Sequence, residues 1–117
     1  MVNRVILVGN LTAEPEVRAT PKGTYVANLR LATHSYAGKD DEGNRRETTE
    51  FHHLVAWGKI AEFAGQYLHK GRLISAEGRL QTRSWEDSGG QKRYRTEVLV
   101  EELKALGAKP AEETAAA

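Results

Sequence analysis

Four aromatic residues stand close to cations. Tyr36 precedes Lys39, Arg45 and Arg46, Phe51 and Trp57 come just before Lys59, and Trp85 lies between Arg83 and the returning Lys92, Arg93 and Arg95. Aromatic rings interleaved with Lys and Arg suit sequence-tolerant contact with a single nucleic-acid strand. Every base offers a π-face, a stacked base contributes about 1–3 kcal/mol, and the cations follow the phosphates. A place in the hydrophobic core explains Phe51 and Trp57 equally well. Both lie in T-T-E-F-H-H-L-V-A-W-G-K, residues 48–59. Strand alternation there puts Phe51, His53, Val55 and Trp57 on one face and Glu50, His52, Leu54 and Ala56 on the other. Alternation alone leaves both readings open.

Catalytic chemistry finds little to use. No G-x-x-x-x-G-K-[ST] phosphate loop occurs, since Gly38-Lys39 and Gly58-Lys59 lead into Asp40 and Ile60, and there is no H-E-x-x-H. His52 and His53 are adjacent on a strand, so they point to opposite faces and do not chelate one ion together. Asp40, Asp41 and Glu42 lack a neighbouring histidine and calcium-loop spacing, so a solvated loop is expected there. With no cysteine there is neither a disulfide nor a thiolate site. The expectation is a non-enzyme without metal or cofactor; a metal-dependent hydrolase using residues 40–42 is the distant rival.

The elements that position these residues follow from hydrophobic period. V-N-R-V-I-L-V-G-N-L (residues 2–11) reads as a strand apolar on both faces, with Val5 and Leu7 on one and Ile6 and Val8 on the other. In a small domain one such face meets the core, and the other is open to a partner subunit or to the chain's own helix. Residues 12–23 carry turn signals around a short extended piece. Residues 24–36 form a second strand, with Tyr25, Ala27, Leu29, Leu31 and Thr33 on one face. Residues 37–47 read as a flexible hairpin loop, and 48–59 as the central strand. Ile60, Phe63, Ala64, Tyr67 and Leu68 recur at helical spacing over residues 59–69, which places Phe63 and Tyr67 in the core. Two further strands, 72–82 and 94–103, flank a glycine-rich hairpin at 83–93, and Gly78 marks a bulge or bend. Three strands, a helix and two strands, joined by long hairpins, match a mostly β, five-stranded OB-type barrel, a fold that binds oligonucleotides and oligosaccharides.

A chain of 117 residues has room for one core. Residues 1–105 are expected to form the domain and 106–117 a flexible low-complexity tail. Seventeen Lys plus Arg against sixteen Asp plus Glu give a net charge of only +1. A polyanion must therefore be bound by local arrangement of charge. No apolar run is long enough for a membrane span or a signal peptide, so a cytoplasmic protein is expected.

V-N-R-V-I-L-V-G-N-L, E-P-E-V-R at 14–18, V-A-N-L-x-L-A-T at 26–33, T-E-F-H-H-L-V-A-W-G-K, A-E-x-x-x-x-Y-L-x-K-G, I-x-A-E-G-R-L-x-T-R-x-W at 74–85 and R-Y-x-T-E-V resemble the bacterial single-stranded DNA-binding proteins, in register from Val2 to about Val100. The resemblance implies an OB barrel assembled as a homotetramer, in the nucleoid-associated cytoplasm, which binds and protects single-stranded DNA in replication, recombination and repair. It puts stacking positions at Tyr36, Phe51, Trp57 and Trp85, basic positions along the DNA path at Arg4, Lys59, Lys70, Arg83 and Arg93, and His52 at a subunit interface shared with Ile6 and Val8. Tyr36 and Phe51 stand where tryptophan is often found. Gln81 and Ser84 stand where a cation is frequent, which thins the charge track. The family docks replication and repair proteins through an acidic tail tip ending in an aromatic, and these residues end in E-E-T-A-A-A, so such docking is not expected from them. A primosomal OB-fold adaptor, acting mainly through protein partners, is the alternative.

Overall fold

The structure, a computed structural model, describes residues 1–107. Beyond Gly107 the expected tail lies outside the described residues. Six strands and one helix follow in order: β1 (Val5–Leu11), β2 (Glu16–Ala19), β3 (Tyr25–Lys39), β4 (Arg45–Trp57), α1 (Lys59–Tyr67), β5 (Leu73–Glu86) and β6 (Lys92–Ala105). They form one sheet in the order β1-β5-β6-β4-β3-β2. Pairing of β1 with β3 at Asn10↔Ala32 and Leu11↔Leu31 closes five of the strands into a barrel. The expected five-stranded OB barrel, with its helix between the third and fourth barrel strands, is what forms. Every pairing is antiparallel except β4 with β6.

The core takes alternate residues of four strands. Ala27, Leu29 and Leu31 of β3, Leu54 and Ala56 of β4, Ile74 and Ala76 of β5 and Val98 and Val100 of β6 are each at most 4% exposed. Ala61, Ala64 and Leu68 seat the helix on this core, with Phe63 packed partly against it. Tyr67 does not join the core: it is 60% exposed, its ring lying 5.5 Å from that of Phe63. The helix stops two residues short of the expected end, because Leu68 turns into extended backbone and is buried there.

Two glycines permit close strand crossings. A Cβ on Gly9 would fall 2.1 Å from the Ala32 carbonyl oxygen, and one on Gly78 would fall 1.9 Å from that of Leu99. Only a residue without Cβ fits either point. The ladder shifts register at Glu77/Gly78, so Gly78 sits at the expected bulge.

The first of the two hairpins departs furthest from expectation. Residues 37–47 are largely strand rather than loop, β3 and β4 staying paired out to Lys39↔Arg45, and the expected hairpin at 83–93 is paired out to Glu86↔Lys92 around a tip at 88–90. The tips share one design. The Asp40 carboxylate accepts the backbone N–H groups of Glu42 and Asn44, and Gly43 adopts φ 83°. Asp87 does the same for Gly89 and Gln91, with Gly90 at φ 79°. These are three-residue turns with a left-handed glycine, and the aspartate supplies the side-chain half of the hydrogen bonding. Asp40, the first residue of the acidic run, therefore works as a turn former. The β2–β3 turn repeats the pattern with Thr20 and Gly23.

Candidate nucleic-acid interface

Core burial of Leu54 and Ala56 forces the alternate residues of β4 outward. Phe51 is 73% exposed and Trp57 48%, so neither is a core residue. The β3–β4 register puts Ala32 opposite Phe51, Arg30 opposite His53, Asn28 opposite Val55 and Val26 opposite Trp57. Tyr36, opposite Glu47, has the same parity, so Tyr36, Phe51 and Trp57 share one face of the ribbon. At about 3.3 Å per residue, Phe51 and Trp57 lie some 20 Å apart along β4.

The face continues onto β5 and β6. Trp85 lies opposite Arg93, Arg83 opposite Arg95 and Gln81 opposite Glu97, while the parallel pairing of β4 with β6 brings His53 beside Glu97. Between this surface and the β2 segment runs a groove of about 900 Å³. Its floor and rims include Trp57, Val55, His53, Arg30, Arg83 and Arg95, with Arg18 and Val17 on the β2 side. Gly65 lets β2 approach the helix: a Cβ there would meet Val17 Cγ2 at 2.9 Å.

Cations lie against the exposed rings. Arg45 Cζ is 4.7 Å from the centroid of Tyr36, and Arg83 and Arg95 are 5.4 and 5.6 Å from that of Trp85. Lys92 Nζ lies 5.9 Å from the ring of Tyr94, which is 64% exposed and has the parity opposite to Trp85. Such pairs contribute about 0.5–1 kcal/mol at exposed sites.

Beneath them is a polar network. Arg95 Nη1 donates to His53 Nδ1 at 3.3 Å, so the neutral imidazole carries its proton on Nε2 and gives it to Asn28 Oδ1 at 2.8 Å. Burial, then the Arg95 charge, hold the pKa of His53 below its ordinary value against the opposing pull of Glu97. Glu97 is 2% exposed; its Oε1 accepts from Gln81 Nε2 at 3.2 Å and lies 3.6 Å from Arg83 Nε.

The residues named from the sequence are not all brought together. Trp57 and Arg83 line the groove, whereas Tyr36 and Trp85 stand on the ribbons above it. Lys59 opens the helix just past Trp57. The Lys70 backbone N–H donates to Glu14, a groove residue whose pKa is lowered by that bond and by His69. Arg93 donates to Asp87 at 2.9 Å. Arg4 is paired with Glu77 at 2.8 Å, on the β1–β5 surface away from the groove lining. Ile6 and Val8 are 61% and 53% exposed, the chain's own helix not covering them. His52 and Thr33 share a hydrogen bond of 2.8 Å. The groove also holds Arg18, Arg30, Asn28 and Glu97, which the sequence does not single out as site residues, and Tyr94 is legible there only as part of a strand. Arg30 carried the one usable signal, a cation on the outward face of a strand whose other face is wholly apolar or small.

The comparisons with known proteins agree with this architecture. The chain is 50% identical over 109 residues to single-stranded DNA-binding protein 1 of Chlorobaculum tepidum, covering 92% of this chain and 67% of that protein. Its fold is similar to a Plasmodium falciparum structure described as an SSB complex with ssDNA, at TM-score 0.82 and 27% identity, over 92% of this chain and 97% of that one. It is also similar to a deletion mutant of the single-stranded DNA binding protein from Thermus aquaticus, at TM-score 0.78 and 38% identity, over 92% of this chain and 51% of that one. The model of the Single-strand binding protein family matches residues 2–106, nearly the whole barrel with both ribbons, and the chain belongs to that family.

Proposed function

We propose that this protein binds single-stranded DNA without sequence preference and shields it during replication, recombination and repair. The observation that carries the reading is the exposure of four aromatic rings, Tyr36, Phe51, Trp57 and Trp85, which the strand pairing sets on the outer face of β3–β4 and β5–β6. An apolar ring held in water on a rigid strand gains free energy by stacking on a base. The strand's phosphates follow Lys59, Lys70, Arg83 and Arg93, joined in the groove by Arg18, Arg30 and Arg95. Arg4 takes up the path at its margin. The chemistry is association, and the protein acts as a binder rather than an enzyme, in the cytoplasm at the nucleoid.

A homotetramer is the assembly that fits. The Val5–Gly9 edge of β1 has no ladder partner beyond β5 among the described residues, and Ile6 and Val8 present apolar side chains beside it. His52 belongs to this assembly surface.

Titration with oligo-dT at low salt tests the reading. Tryptophan emission is expected to quench as the strand stacks on Trp57 and Trp85, and affinity to fall as salt rises. No quenching and no binding at low salt would overturn it.

A further inference from the structure

A carboxylate buried in the floor of a groove for a polyanion is out of place on charge alone. Glu97 is 2% exposed, and its Oε2 accepts no hydrogen bond among the described residues. Burying such a group carries a desolvation cost, and its charge repels phosphate. Its neighbours show what it does instead. Arg83 Nε is 3.6 Å from Oε1, and the same guanidinium lies 5.4 Å from the centre of the Trp85 ring. His53 Nε2 is 3.9 Å from Oε2, and His53 Nδ1 accepts from Arg95, whose guanidinium lies 5.6 Å from that same ring. Of the two cations at Trp85, Arg83 thus pairs with the buried carboxylate, while Arg95 is held by the neutral His53, whose Nε2–H goes to Asn28.

We infer that Glu97 is a positioning residue for the base platform at Trp85, holding Arg83 against the indole. The assignment rests on the reading of Trp85 as a stacking platform. A flexible guanidinium would otherwise reach for solvent or for any nearby phosphate. Anchored, it fixes the ring and meets the phosphate of the stacked nucleotide from a set place, so less order is imposed when DNA arrives.

The charge of Glu97 makes the test sharp, because the two explanations differ in sign. If the carboxylate only repels the strand, Glu97→Gln tightens binding. If it positions Arg83, the same isosteric change weakens oligo-dT binding by roughly threefold to tenfold, the scale of coupling between residues in one network. The experiment measures anisotropy of labelled oligo-dT with wild type, Glu97→Gln, Arg83→Lys and the double variant, alongside thermal melts and the tryptophan emission of the free proteins. Arg83→Lys keeps the charge but loses the Nε contact and the planar face, so it too is expected to weaken binding several-fold. The double variant should bind no more weakly than Arg83→Lys alone, and Glu97→Gln should shift the emission of free protein only while Trp85 is present. Tighter or unchanged binding by Glu97→Gln, or losses that simply add, would overturn the assignment. If Glu97→Gln does not fold, Glu97→Asp decides, since it keeps the charge and withdraws the carboxylate from Arg83: unchanged or tighter binding overturns the role and a several-fold loss supports it. Failure of the wild type to bind oligo-dT would instead overturn the function on which it rests.

Discussion

Arg45 lies over the ring of Tyr36, its Cζ 4.7 Å from the centroid, at the point where the β3–β4 ladder shifts register. The guanidinium covers one side of the ring and leaves the other to solvent, and Tyr36 is 59% exposed. Tyr36→Ala should weaken oligo-dT binding by about 1–3 kcal/mol, the value of one stacked base. Its melting temperature should stay near that of the wild type, since little is packed against the ring. Anisotropy titration beside a thermal melt checks both halves.

Trp57 and His52 lie on opposite faces of β4, and their substitutions should separate two functions. Trp57→Ala is expected to weaken DNA binding by about 1–3 kcal/mol while sedimentation shows the assembly unchanged. His52→Ala breaks the bond to Thr33 and should mainly loosen the assembly. The same defect from both changes would contradict the two-faced strand. A primosomal adaptor would show itself here as well, as a dimer whose DNA binding survives Trp85→Ala.

Salt dependence should sort the cations. Each phosphate contact on a single strand adds about 0.7 to the slope of log affinity against log salt concentration. Arg18→Ala and Arg30→Ala, both groove cations, should each lower the slope by about that much. Arg4→Ala and Arg93→Ala should lower it less, because Glu77 and Asp87 already neutralise those cations at 2.8 and 2.9 Å. Equal losses at all four positions would refute this ordering.

The close crossings predict intolerance to a single methyl group. Gly78→Ala and Gly9→Ala would place Cβ within 1.9 and 2.1 Å of backbone oxygens that belong to paired strands. Each should destabilise the barrel by about 3 kcal/mol or more, beyond the usual cost of overpacking, because backbone rather than side chain must move. Chemical denaturation measures the loss, and a wild-type midpoint would disprove the tight crossing.

Acid should destabilise the protein in two stages. Folding lowers the pKa of His53 below its ordinary 6.5, so the unfolded chain takes up the proton first. Stability is therefore full above that value and declines as pH falls toward the folded-state value. Glu14 and Asp87 are also lowered, from 4.5 and 3.8, by hydrogen bonds centred on Lys70 and on Arg93. Their contribution is present above those ordinary values and is lost as pH falls through the folded ones. In melts across pH, His53→Gln should abolish the first stage and leave the second.

Much of the barrel was legible because one face of each strand is buried. The alternation in β3 set Leu29 and Leu31 on one face and Arg30 on the other, whereas in β4 it separated Leu54 and Ala56 from Phe51 and Trp57 without saying which face is the core. The ribbons were not legible, since both of their faces meet water and polar residues there carry no period. The four residues of β2, all exposed, gave no hydrophobic signal between Pro15 and Pro21. At the candidate site, aromatic–cation neighbours in sequence pointed to Tyr36 and Trp85. The groove floor joins β3, β4, β5 and β6 through long-range register, and nothing near Glu97 in sequence announces a buried charge. Only the folded sheet brings it under Arg83.

The tip turns have a practical consequence. Their backbone hydrogen bonds close within five residues, from Asp40 to Asn44 and from Asp87 to Gln91, with one further bond to the second turn from the neighbouring Arg93. Asp41 and Ser88 occupy the outermost places of these turns, and both are exposed. A thiol introduced at either would carry a dye at the end of a stiff arm, reporting the passage of a bound polymer without disturbing the barrel that holds it.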